Sequence, residues 1–125
     1  MPDPRVHTWS KLESDSPMPL IDRQRIVGAQ AMISRVVLHK GFEIGTHQHE
    51  NEQMAVVLSG KVTFGIGEKD TPGYREVTLV AGQVLELPGN VPHSARAHEE
   101  TLILDVFAPP SEATGIDKQK KEPGA

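Results

Sequence analysis

Apolar residues in this chain come in short runs closed by glycine or proline, without the three-to-four-residue spacing of a helix. One run covers residues 30–38 (QAMISRVVL). Residues 55–58 (AVVL) lead into Ser59-Gly60, and KVTFGI follows directly. A polar loop at 67–73 separates these from EVTLV (76–80), which ends at Ala81-Gly82. VLEL ends at Pro88-Gly89-Asn90, and TLILDVF (101–107) ends before Pro109-Pro110. Short β-prone runs at turn-punctuated intervals predict an all-β sandwich or barrel. Ser59-Gly60 and Ala81-Gly82 read as hairpin or corner turns, where glycine supplies the unusual backbone angles. A shorter stretch around Val6, Thr8 and Trp9 is expected to pair with the barrel edge or with a neighbouring subunit. No repeat recurs at a period of about 20–50 residues.

Composition narrows this to one domain. The chain has 125 residues, of which 37% are apolar. The polar excess lies at the ends: Pro2, Pro4, Pro17 and Pro19 punctuate the front, and DKQKKE (117–122) fills the back. The expected division is an N-terminal arm over 1–20, a barrel over 21–110 and a charged tail over 111–125. The formal charge is −4 and no basic stripe is interleaved with aromatics, so no nucleic-acid partner is expected. The lysines at 118, 120 and 121 read as a solvated tail. The absence of cysteine excludes disulfides and thiolate chemistry, leaving His, Asp, Glu and Gln as metal ligands. No apolar run approaches the roughly 18–20 residues of a membrane span, so no membrane association and a cytoplasmic location are the expectation.

The chemistry concentrates in GFEIGTHQHENEQMAVVLSG (41–60). Residues two apart share a face of an extended strand. His47, His49 and Gln53 have one parity, Glu50 and Glu52 the other. Imidazole nitrogens with one amide oxygen suit a first-row metal. His93, at the end of the rigid turn PGNVPH, is the candidate for a further ligand. The competing reading of each residue is an ordinary solvated polar group. His7, His39 and His98 have no partner at useful spacing and read as surface residues.

Taken together the two stretches resemble the paired motifs of the cupin superfamily. Gly41, five residues, His47-Gln48-His49, three residues, Gln53, six residues and Gly60 follow the first motif, with glutamine where the family pattern has glutamate. Gly82, Pro88 and His93 follow the second, with Asn90 in place of its inner glycine. The resemblance implies a double-stranded β-helix barrel with a metal near its mouth, held by His47, His49, Gln53 and His93, and commonly a homodimer. One divalent transition metal is expected, with nickel, manganese, iron and zinc all open. A glutamine ligand leaves the ion its full charge, which makes it a stronger Lewis acid and a better host for an anion.

A narrower resemblance joins HQHENEQ, PGNVPHSARA and DVFAPP to the small KdgF-like cupins of uronate linearisation. It implies ring opening of 4,5-unsaturated uronic acids, with an aspartate and a phenylalanine at the positions of Asp105 and Phe107 serving the active site. That family pattern has an arginine just after the Pro-Pro pair, where this chain has Ser111.

Read on its own, Asp105 interrupts an apolar run and shares parity with Ile103 and Phe107. Buried without a partner or a wet cavity, its carboxylate would be costly. It is either an acid/base group lining the barrel, with Phe107 as an apolar wall for a sugar face, or an edge-strand aspartate facing solvent with Phe107 in ordinary core. Arg35 also breaks an apolar run. It either points into the barrel, where it would bind a substrate carboxylate, or snorkels to the surface. Arg96 has the opposite parity to His93 and is placed outside the site.

The leading functional expectation is a metal-dependent lyase- or isomerase-type enzyme that opens or tautomerises an anionic, sugar-like substrate, with Asp105 as acid/base. The alternatives are a metal-dependent oxygenase of an enol or diketone, and a non-catalytic barrel that binds a small acid.

Overall fold

The computed structural model describes residues 3–110; Ser111 and the tail lie outside the described residues. Nine strands follow one 3-10 turn: β1 (Ile21–Val27), β2 (Met32–Leu38), β3 (Glu43–His47), β4 (Glu52–Ser59), β5 (Lys61–Ile66), β6 (Arg75–Val80), β7 (Val84–Leu87), β8 (His93–Ala97) and β9 (Thr101–Ala108). They form a five-stranded sheet in the order β1-β2-β9-β4-β7 and a four-stranded sheet in the order β3-β8-β5-β6. All pairings between them are antiparallel. The two sheets face each other as a jelly roll, and the core lies between them.

Alternation explains which side chains enter that core. Along β2, Met32, Ser34, Val36 and Leu38 are buried and the residues between them are not. Gln53, Ala55 and Val57 do the same along β4, and Thr101, Ile103 and Phe107 along β9. The opposing sheet contributes Ile44, Val62, Phe64, Leu79 and Ala97. The chain changes sheet at both glycine turns, between β4 and β5 and between β6 and β7, so these are corners and not hairpins. Gly60 and Gly82 sit there at φ of 93° and 90°, a region open to glycine.

Three strands were absent from the apolar runs. β1 (IDRQRIV), β3 (EIGTH) and β8 (HSARA) are too polar to stand out, and partners elsewhere in the fold hold them in place. Arg23 of β1 is buried and donates from Nε to Asp15 Oδ1 at 2.9 Å, a bidentate pair with the arm. The arm itself differs from the expectation. Its residues 9–11 form the 3-10 turn, Val6 is exposed, and the bridge to the barrel edge runs through Asp15 and Arg23. Gln24 holds the turn by donating to the carbonyls of Trp9 and Leu12.

Candidate metal centre

His47 ends β3, His93 begins β8, and the two are register partners. His49 lies in the loop after β3, and Gln53 enters with β4, opposite Phe107 of β9. The chain therefore leaves strand conformation between His47 and Glu52, and residues 48–51 form the connecting loop. Shared parity is not what brings His49 to the others; the loop and its anchors are.

Those anchors are specific. The amide of Asn90 donates to the carbonyl of His49 at 2.8 Å. Asn90 adopts φ of 64°, the left-handed conformation that the motif's glycine would take without strain. A Cβ on Gly89 would collide with the carbonyl of Glu50, so glycine lets this turn lie flush on the histidine loop. On the other side, buried Asn51 donates its side-chain amide to the carbonyl of Pro109.

Each histidine is oriented the same way. Nδ1 of His47 faces the carbonyl of Gly45 at 2.9 Å, Nδ1 of His49 that of Asn51 at 3.0 Å, and Nδ1 of His93 that of Val91 at 2.8 Å. A nitrogen facing a carbonyl must carry the proton, so in each neutral ring Nε2 holds the lone pair. Ligand atoms of the three rings lie within 4.8 Å of one another. Burial, reinforced by the neighbouring His47 and His49, pushes His93 down to about 4, so it is a neutral donor at physiological pH.

Gln53 completes the set. Its Oε1 stands 3.2 Å from Nε2 of His49, and its Nε2 donates to Oδ1 of Asp105 at 2.9 Å. With the proton of His49 on Nδ1, the 3.2 Å contact opposes two acceptors. A cation held by His49 and Gln53 would relieve that repulsion. The donor set of three imidazoles and one amide oxygen thus fits a divalent transition ion. Hydrogen bonds from the far side of each ring are the support such ligands require.

Asp105 is placed inside, not at an edge, because β9 is flanked by β2 and β4. Asp105 lines the cavity and is half-buried there. Burial pushes it up to about 6, against the opposing pull of the Gln53 hydrogen bond. The cavity is also lined by Phe107, whose ring meets that of His49 edge-on with centroids 5.6 Å apart.

Arg35 is a correction. It lies on the outward face of β2, between core-facing Ser34 and Val36, and donates toward Oε1 of Gln24 on β1 at 3.5 Å. It is absent from the cavity lining. Alternation sets this: an inward Val36 turns its neighbour out. Arg96 is outside as expected, paired with Glu76 at 3.0 Å. His39 and His98 do have partners: His39 meets Asp22 at 2.7 Å and His98 meets Thr63 at 2.6 Å. Sequence reasoning missed Asn51 and the three carbonyl acceptors. The only signal for the acceptors is their position two residues from each histidine.

Residues 34–107 match the family model described as "Cupin domain". The chain belongs to the cupin family. Among solved structures, this cupin is similar to an RmlC-like cupin from Shewanella frigidimarina, with 21% identity, TM-score 0.77, and coverage of 88% of this chain and 95% of that one. It is similar to KdgF from Halomonas sp., with 24% identity, TM-score 0.72, and coverage of 82% and 93%. It also resembles oxalate decarboxylase from Bacillus subtilis, with 17% identity and TM-score 0.74 over 85% of this chain, but spans only 30% of that one. At these identities the likeness is one of fold. No curated protein matches the chain. Among the described residues, no helix is long and apolar enough to cross a membrane.

Proposed function

We propose that this cupin is a metal-dependent enzyme that moves a proton on an anionic, enolisable carbonyl substrate, opening or tautomerising a 4,5-unsaturated uronate or a related acid. The observation that carries the reading is the Gln53 bridge. One end of its amide stands in the ligand ring beside His49, and the other donates to Asp105. A carboxylate is thereby held one residue from the ligand ring and lines the same cavity. The likeness of fold to KdgF and the resemblance of the DVFAPP stretch to the small uronate-linearising cupins add support.

When bound at His47, His49, Gln53 and His93, a divalent ion supplies Lewis acidity and a countercharge for a substrate oxygen. The chain does the rest. Asp105 Oδ1 accepts from Gln53, so Oδ2 is the atom that takes or returns the substrate proton. Phe107 and His49 form one wall against which the substrate lies. The apolar cavity lining excludes bulk water and sharpens the proton affinity of Asp105. Arg35 has no part in holding the substrate carboxylate. The homodimer belongs to the same proposal and is tested by light scattering: a mass twice that of the chain supports it, a monomer mass refutes it.

The test is a rate. Metal-loaded protein is mixed with freshly generated 4,5-unsaturated galacturonate, and loss of the enol double bond is followed against chelator-treated and protein-free controls. Metal-dependent acceleration of about 10²–10⁴-fold, lost in Asp105→Ala, is the expected result. A rate equal to the spontaneous one refutes this substrate. The apolar lining favours a second reading, oxygenation of an enol or diketone; oxygen uptake by the iron-loaded protein with such substrates would distinguish it.

A further inference from the structure

The cavity is divided by depth, and the strand registers show where the division falls. Gln53 and Phe107 form the uppermost inward-facing pair of β4 and β9, beside His49. One pair deeper, Asp105 lies between Ser34 and Ala55. One pair deeper again, Ile103 lies between Val36 and Val57. On the opposite sheet, Ala95 follows His93 by two residues and pairs with Phe64. Two residues of strand advance by about 7 Å. Level with Asp105 the opposite sheet presents Ile44, Ala95 and Phe64, and below it the lining is Val36 and Ile103, with Leu38 and Phe42 at the floor.

Among the described residues lining this cavity, every polar side chain belongs to the ligand ring or is Asp105 itself. The whole cavity, ligand ring included, offers only about 60 Å³, on the order of four water positions, so the apolar part beneath Asp105 is smaller still. Such a space with no polar partner gains nothing from water and little from hydroxyl groups.

We infer that the space beneath Asp105 is a substrate subsite for a compact apolar substituent, so that the preferred ligand is a small enolisable acid with a short alkyl group next to the reacting carbon. This rests on the proposed proton transfer at Asp105. The acid and carbonyl oxygens stay at the histidine ring, and the carbon addressed by Asp105 lies at the boundary. Whatever that carbon bears next enters the apolar floor. A sugar hydroxyl sent there would lose its water and find no partner, costing roughly ten- to a hundredfold in affinity. An alkyl carbon gains about fourfold per methylene until the space is full. With room of this size, the gain should stop after two or three carbons.

The experiment uses the metal-loaded full chain and the series pyruvate, 2-oxobutanoate, 2-oxopentanoate, 3-methyl-2-oxobutanoate and phenylpyruvate, with 4,5-unsaturated galacturonate for comparison. Binding is read by calorimetry. Proton transfer is read separately, as deuterium exchange at the carbon next to the carbonyl. Affinity rising about fourfold per carbon and then falling at phenylpyruvate is the expected result. Ala95→Val, which fills the space from β8 without changing a ligand, should abolish the rise; the metal affinity of this variant reports that the site is intact. Affinity that does not change with chain length overturns the inference, as does tighter binding of the uronate than of every alkyl acid. Rising affinity without exchange would leave the apolar subsite standing and sink the proposed proton transfer instead.

Discussion

Replacing Gln53 with the glutamate of the general cupin pattern tests how the amide links the metal ring to Asp105. Gln53→Glu is nearly isosteric, so the cavity keeps its shape. One oxygen remains beside His49, but the other takes the place of Nε2, 2.9 Å from Oδ1 of Asp105. A hydrogen bond becomes a contact between two carboxylates. At that 2.9 Å separation and an effective dielectric of about 20, the repulsion is about 6 kcal/mol. One pKa unit is worth about 1.4 kcal/mol, so taking up a shared proton is far cheaper than keeping both charges. The pair then holds one proton at neutral pH and Asp105 is lost as a base. Metal binding should tighten, because a charged ligand replaces a neutral one, while turnover of the substrate falls by about 10²-fold or more. The assay is carboxyl-carbon NMR of the labelled, metal-free protein at pH 7, with metal titration alongside. One more protonated carboxyl group than in the native protein is expected. Two fully ionised carboxylates at that position would refute the reasoning, whatever the activity.

Saturating divalent metal at about a hundred times its Kd should stabilise the fold by about 2.7 kcal/mol and raise Tm by roughly 10 °C. A differential scanning measurement with nickel, manganese, iron and zinc checks this, and His93→Ala should abolish the shift. Gly60→Ala should cost about 3 kcal/mol or more: the residue sits at φ of 93° and an added Cβ would fall 2.5 Å from Thr101 Oγ1 and 2.6 Å from its Cα. Urea unfolding checks it, and a loss below about 1 kcal/mol would contradict it. The Asp22–His39 pair makes stability pH-dependent in two directions. Hydrogen bonds from Ser16 and then His39 hold Asp22 below its usual 3.8, and the bond to Asp22 holds His39 above 6.5. The contribution is complete between those two ordinary values. It fades as pH falls through the lowered Asp22 value and as pH rises through the raised His39 value. Imidazole NMR titration with stability measured alongside, in native protein and His39→Gln, should show the alkaline loss only in the native form.

Much of the architecture was legible in the chain itself. Alternating runs such as MISRVVL and TLILDVF must place one face in the core, and glycine at the corners permits the change of sheet. The grouping of His47, His49 and His93 was legible too, because the motif spacing ties each to a strand end or a fixed turn. What the sequence could not decide was direction and partnership. Whether Asp105 faced solvent or cavity depended on β9 lying between β2 and β4, a fact of non-local pairing. Whether Arg35 pointed in or out depended on which parity of β2 met the opposing sheet. β1, β3 and β8 are too polar to show as strands, and neighbours distant in the chain, such as Asp15 for Arg23, hold them in place. His49 reaches the site through a bend set by Asn90 and Asn51, not through strand parity. Local pattern records what each residue prefers to bury. Only the folded sheets decide what stands opposite it, and the chemistry at Gln53 and Asp105 is made by that opposition.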